Sequence, residues 1–250
     1  MPVRLFCLPY SGGSATAYAR WRRLLPSWID VQPLEWPGRG MRMDEPLMTD
    51  PHRLAEKLAG ELQASLEAPY ALFGHSLGAL VAFELAHCLV DHGAPMPVVL
   101  FASGTEAPSV RDGSKWHHPL SDEELLAELR HLQGTPEEAL ASPEIMNVTL
   151  PVLRADFLMC GAYVYRPGRK LPVPIHVLGG LDDDTAPESL EAWRCETCAG
   201  FKIDVLPGDH FFIHSRQAEV LDLISTSLVR GAARPKLVPR RACSAPIGSA

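Results

Sequence analysis

The chain has 250 residues, 46% of them hydrophobic, and a formal net charge of −7. That length and apolar content hold one large domain with a substantial core, and the acidic balance argues against a general nucleic-acid or membrane-surface role. No run reads as long and apolar enough to span a bilayer, and no basic region precedes a longer apolar one at the N-terminus, so a cytoplasmic protein without a secretory signal is expected.

The six cysteines are then expected as thiols in a reducing compartment. Cys195-Glu196-Thr197-Cys198 is a lone C-x-x-C without a second pair at zinc spacing. It reads as two thiols on one helix face, and neither a metal nor a cofactor is expected.

Taken in order, Val3–Leu8 reads as a buried strand stopped by Pro9. Tyr10-Ser11-Gly12-Gly13-Ser14 is a glycine-rich turn, followed by a helix over about 15–25. A second strand over 29–35 leads into the rigid loop Trp36-Pro37-Gly38-Arg39-Gly40. Thr49 or Asp50 caps a helix running to about residue 66, with Pro51 in its first turn.

Tyr70-Ala71-Leu72-Phe73 then runs apolar into Gly74-His75-Ser76-Leu77-Gly78, and an apolar helix follows over 77–90. This is the G-x-S-x-G pattern of a nucleophile elbow, in which a serine on a strained strand-to-helix turn stands clear of the sheet. Two glycines let strand and helix approach closely around Ser76. The helix N-terminus supplies free N–H groups and a positive dipole end for a developing oxyanion.

Another strand is expected over 96–102. From about 108 to 169 no strand is evident. Ser121-Asp122-Glu123-Glu124 is a capping box, and further helix starts stand at Thr135-Pro136 and Ser142-Pro143. Successive helices without strands suit an inserted cap or lid, with residues 1–230 otherwise forming one domain. Strand–helix alternation resumes with a strand over 173–178, a helix over 187–198, the strand Phe201–Leu206 and a closing helix over 214–229. The segment 231–250 has no apolar period and reads as a disordered tail.

Strands alternating with helices imply a mainly parallel sheet covered on both faces, whose sites lie beyond the carboxyl ends of the strands. Tyr10–Gly13, Ser76, Asp182-Asp183-Asp184 and His210 all follow strands directly, so they converge on one edge. Of ten histidines, His210 has the right place for a base: it follows the last strand, completing the order Ser…Asp…His. His214 is the weaker candidate. Asp182, Asp183 and Asp184 all qualify by location as the acid that fixes the histidine's tautomer. Asp182 is favoured because it stands first after Gly179-Gly180-Leu181, and like charges cannot all share one buried position.

Together these segments resemble the type II thioesterases of polyketide and nonribosomal peptide synthesis, small α/β-hydrolases. The resemblance rests on Leu8-Pro9-Tyr10-Ser11-Gly12-Gly13, Pro37-Gly38-Arg39-Gly40 with Glu45-Pro46, and Gly74-His75-Ser76-Leu77-Gly78-Ala79. It continues through Leu150-Pro151, Leu153-Arg154-Ala155-Asp156-Phe157, Gly179-Gly180-Leu181-Asp182 and Pro207-Gly208-Asp209-His210-Phe211-Phe212. It implies an α/β-hydrolase fold with a helical lid, Ser76 as nucleophile, Asp182 as acid and His210 as base. Oxyanion donors would be the backbone N–H groups of Leu77 and of Ser11 or its neighbour. The implied partners are acyl or peptidyl carrier proteins bearing phosphopantetheine thioesters, with editing of stalled acyl groups as the role and a monomer as the favoured state.

Three departures stand beside the site: Tyr10-Ser11 where the family often has His-Ala, Asp209 where a glycine is common, and Thr185, three residues after Asp182, where valine is common, which leaves the register between Asp182 and Asp184 open. A carboxylesterase or acyltransferase would use the same triad, and a non-catalytic binding scaffold is a third reading. An acidic carrier docking on an acidic enzyme needs a local basic patch. Arg20, Arg22 and Arg23 read as a solvated helix face with Trp21 packed inward, which leaves Arg39 and Arg42 as candidates.

Overall fold

In the computed structural model the described residues are 2–232. Residues 233–250, most of the segment read as a disordered tail, lie outside them. Six strands, β1 (Val3–Leu8), β2 (Ile29–Pro33), β3 (Tyr70–His75), β4 (Leu100–Ser103), β5 (Ile175–Gly180) and β6 (Phe201–Leu206), form one sheet in the order β2-β1-β3-β4-β5-β6. Every pairing is parallel. The direction of winding reverses between β1 and β3, so the carboxyl ends of these two strands form the crevice in which such sheets place their sites.

The helices are α1 (Trp21–Leu24), α2 (Pro51–Gln63), α3 (Leu77–Asp91), α4 (Asp122–Leu132), α5 (Glu137–Leu140), α6 (Pro143–Ala162), α7 (Pro187–Glu191), α8 (Phe212–Ser215) and α9 (Gln217–Ala232). Alternation along the strands splits the core in two. Phe6, Leu8, Tyr70 and Leu72 point to the face covered by α2 and α3. Val3, Leu5, Cys7, Ala71 and Phe73 point to the face covered by α1 and α9. Burial on both faces is what parallel strands require.

The local causes are visible in α2 and α3. Asp50 accepts the N–H groups of His52 and Arg53 at 2.9 and 3.2 Å, capping α2. Leu54, Ala55, Leu58 and Ala59, at helical spacing, bury its inner face. By contrast, α3 is apolar nearly all round, because it lies between the sheet and α2.

Several expected elements are shorter or interrupted. The helix expected over 15–25 is a 3-10 turn, Ala15–Tyr18, followed by the single turn of α1. Tyr18 is pulled inward: its hydroxyl donates to Leu8 O at 3.0 Å and its ring meets Trp21 and Phe73. The helix expected over 187–198 divides into α7 and a 3-10 segment, Ala192–Glu196. Cys198 lies beyond that segment, so the two cysteines do not share a helix face.

Pro151 sits inside α6 without ending it. That helix is long and apolar enough to cross a bilayer by length and composition, contrary to the sequence reading. It nevertheless carries Arg154 and Asp156, and its apolar side is packed into the protein through Leu150, Leu153, Phe157 and Met159.

The stretch between β4 and β5 contains α4, α5 and α6 and no strand. Leu120, Leu125, Leu129, Leu140, Met146, Leu150, Leu153 and Phe157 give it a hydrophobic cluster of its own, separate from the two sheet cores. The insertion lies against the carboxyl edge: a Cβ on Gly134 would stand 2.0 Å from the Phe211 ring, and His131 Nε2 meets Asp184 Oδ2 at 2.7 Å.

Candidate active site

Ser76 occupies the turn between β3 and α3 with φ 54° and ψ −124°, left-handed backbone for a residue with a side chain. Strain of this kind persists where the surroundings over-determine it, and here they do. The Ser76 N–H donates to Ser103 O at 2.7 Å. A Cβ on Gly74 would lie 2.1 Å from Gly78 O, and one on Gly78 would lie 2.4 Å from Leu8 O. Strand, turn and helix therefore touch backbone to backbone, and both flanking glycines are required by space. The Ser76 side chain makes no capping bond to α3. Leu77 opens α3, which places its N–H among the orphan donors of a helix start.

His210 sits in the loop after β6 with its ring centroid 5.1 Å from that of His75. Its Nδ1 meets both carboxylate oxygens of Asp183, at 3.2 and 3.1 Å. Both side chains are largely buried, 14% and 5% exposed. The expectation that Asp182 meets His210 is therefore corrected by one residue: the contact is made by Asp183. Asp182 is exposed and turned to the loop backbone: its Oδ2 accepts the Gly208 N–H at 3.3 Å, and its own N–H donates to Gly208 O at 2.9 Å. Asp182 thus holds the loop that carries the histidine, and Asp183 holds the histidine. Asp184 points outward to His131.

His75, next to Ser76 in the chain, is fully buried beneath His210. Its Nδ1 lies 3.0 Å from Ser103 Oγ, and its ring packs against Tyr10, His210, Phe211 and Phe212. A Cβ on Gly104, at φ +60°, would collide with this imidazole at 2.4 Å. Across the site the Tyr10 hydroxyl meets His214 Nε2 at 3.1 Å, so the weaker histidine candidate is engaged by the tyrosine that departs from the family pattern.

The turn after β1 is tied to distant segments. Gly12 N–H donates to Asp156 Oδ2 at 2.8 Å, and Gly13 N–H donates to Tyr10 O at 2.9 Å. Asp156 also takes a two-pronged contact from Arg39, at 2.7 and 2.6 Å. Arg39 is buried, and Arg42 is held by Glu45 and Glu61. Neither is therefore a free docking cation, and the expectation that they form a basic patch is corrected. Trp21 is buried and Arg22 and Arg23 are exposed, as a solvated helix face requires.

The sequence matches the thioesterase domain family over residues 3–228. The chain belongs to the thioesterase family. It is 40% identical to the gramicidin S biosynthesis protein GrsT of Aneurinibacillus migulanus, over 90% of this chain and 89% of that protein. It is 36% identical to the thioesterase PikA5 of Streptomyces venezuelae, over 94% of this chain and 85% of that one. Among solved structures it resembles the type II thioesterase BorB from the borrelidin biosynthetic cluster, with a TM-score of 0.84, 40% identity, and coverage of 91% and 93% of the two chains. The fold is that of its thioesterase neighbours, and the protein is a hydrolase acting on thioesters.

The electrostatics of the thioesterase give a pH expectation. Burial holds the imidazoles of His75, His87, His176 and His214 below the ordinary histidine value, with His210 and His214 adding to the effect at His75. In an unfolded chain they titrate near 6.5. Each folded value is depressed, so below about pH 6.5 the unfolded chain binds more protons and stability falls with falling pH. His52 runs the other way. Its hydrogen bond to Glu84 raises its value, so its contribution is present below about 6.5 and fades as the pH rises through the raised value. Four groups against one set the direction. The melting temperature should fall from about pH 6.5 to 5, and a flat or rising profile over that range would contradict the burial of neutral imidazoles.

Proposed function

We propose that Ser76, His210 and Asp183 form a catalytic triad. On this reading the thioesterase removes acyl groups from the phosphopantetheine arm of carrier proteins in polyketide or nonribosomal peptide synthesis. The observation that carries this is the buried Asp183–His210 contact at the carboxyl edge, with the His210 ring 5.1 Å from that of His75, the neighbour of a serine in left-handed backbone at a helix start. His210 takes the Ser76 proton at Nε2 while Nδ1–H is held by Asp183. The serine oxygen attacks the thioester carbonyl, and the N–H groups of Leu77 and Ser11 stabilise the oxyanion. Collapse breaks the C–S bond, and His210 returns its proton to the pantetheine sulfur. His210 then deprotonates a water, which attacks the acyl-serine. The carboxylic acid leaves and the Ser76 hydroxyl is restored.

The relatives GrsT, PikA5 and BorB, each named for biosynthesis of this kind or for thioesterase activity, support the substrate class. The helical insertion is the lid on this reading, because its Gly134 and His131 rest on the loops bearing Phe211 and Asp184. The cytosol is the compartment where carrier-bound intermediates and reduced cysteines coexist.

A carboxylesterase would use the same three residues, so leaving-group preference decides. A panel of acyl groups presented as carrier-protein thioesters and as oxygen esters of the same acids tests the proposal. Thioesters on the carrier should be turned over at least tenfold faster than the matched oxygen esters, on the order of the preference that one favourable contact supplies. Equal or faster oxygen-ester turnover would support the carboxylesterase instead.

A further inference from the structure

The buried pair Arg39–Asp156 is not explained by the triad. Asp156 has no exposure and Arg39 has 4%. Placing two charges there carries a desolvation cost that apolar residues of similar volume would not carry, so stability alone is a weak reason for the pair. Its partners show what it holds. Asp156 Oδ2 accepts the Gly12 N–H at 2.8 Å, and Arg39 Nη1 donates to Gly13 O at 3.2 Å as well as to Asp156. The Ser11–Gly12 peptide is thereby fixed through its N–H by a charge-assisted bond, and the next residue is fixed through its carbonyl. Leu153, one helical turn before Asp156 on α6, presses on the same turn: a Cβ on Gly12 would lie 2.6 Å from Leu153 Cδ2. Gly12 itself stands at φ +75°, so the turn keeps this shape only while its peptide groups are anchored.

We infer that Asp156 and Arg39 are positioning residues for the oxyanion turn: the inserted helix α6 and the Pro37–Gly40 loop orient the Ser11 N–H toward the carbonyl attacked by Ser76. The inference rests on the reading of Ser76 as nucleophile and Ser11 as oxyanion donor. Donors of this kind act because they are oriented before charge develops. A slack turn binds substrate as before and loses transition-state stabilisation. Neither residue touches substrate. Both act through Gly12 and Gly13.

The test uses the full-length enzyme on propionyl and octanoyl pantetheine thioesters. Binding of the matching trifluoromethyl ketones, which become anionic tetrahedral adducts on Ser76, is measured beside binding of matching unreactive thioethers. Asp156→Asn removes the carboxylate, but it leaves Arg39 buried without a counter-charge and can unfold the protein. The double variant Arg39→Met with Asp156→Leu leaves no buried charge and keeps the volume filled.

In both variants kcat should fall roughly 10²-fold, the scale of one oxyanion donor. KM and thioether affinity should be nearly unchanged, and ketone affinity should fall by the same factor as kcat/KM. A double variant that melts at the wild-type temperature with wild-type kcat and ketone affinity would overturn the inference and leave the pair a structural contact. Failure of the wild-type enzyme to form a ketone adduct on Ser76 would instead overturn the underlying nucleophile assignment, so the two failures are read in different samples.

Discussion

Replacement of Ser76 by alanine is expected to lower thioester turnover by roughly 10⁶-fold, the loss seen when a serine protease triad loses its nucleophile, with the melting temperature close to that of the wild type. The reason for the first part is that Ser76 carries the one hydroxyl of the Gly74–Gly78 turn. The reason for the second is that the Ser76 side chain makes no capping bond to α3, while the backbone contacts of the turn run through the Ser76 N–H and the two glycines. An alanine retains the N–H. Residual turnover of about 10³-fold over the uncatalysed rate would remain from binding and the oxyanion donors. Turnover by the alanine variant within an order of magnitude of wild type would remove Ser76 from the chemistry.

The second large effect separates neighbours in one loop. Asp183→Asn should cost on the order of 10⁴-fold in kcat, since an amide in place of the orienting carboxylate favours the wrong imidazole tautomer. Asp182→Asn should cost no more than a few-fold. The Asp182 side chain accepts one long bond, from Gly208 N–H at 3.3 Å, and an asparagine oxygen can accept it too. Asp184→Asn is expected to be milder still for the chemistry, because that carboxylate meets His131 at the exposed surface. Kinetics of the three single variants on one pantetheine thioester check the order. A severe Asp182→Asn and a mild Asp183→Asn would mean that the loop rearranges when substrate binds.

The sheet, the strained turn at Ser76 and the position of His210 after the last strand were legible in the chain because each has a strong local cause. A fully buried parallel strand reads as an apolar run, and a serine between two glycines at a strand–helix junction admits few other meanings. The aspartate that meets His210 was legible to within one residue. All three aspartates follow β5, and which one faces inward depends on how the chain turns after Gly180. A Cβ on Gly180 would lie 2.6 Å from Asp209 O. That close passage of two loops, distant in sequence, sends the Asp182 side chain to Gly208 and the next one to His210. No local pattern carries it.

The same limit explains Arg39 and Asp156. They are 117 residues apart, in motifs visible separately as Pro37-Gly38-Arg39-Gly40 and Arg154-Ala155-Asp156. A surface reading of Arg39 followed naturally from an arginine in a loop, and the partner that buries it lies on the inserted helix. His75 was missed as the floor of the site for a similar cause: the signal was Gly104, whose missing Cβ makes room for the ring.

The central claim is that the acyl group passes through an ester on Ser76. Rapid mixing of the Asp183→Asn enzyme with an acyl carrier protein thioester, acid quench and peptide mass mapping tests it directly. The account predicts a transient acyl mass on the peptide containing Ser76, appearing with release of the free pantetheine thiol and decaying with release of the acid. Thiol release and acid formation with no acylated Ser76 peptide, or an acyl mass on any other residue, would contradict it.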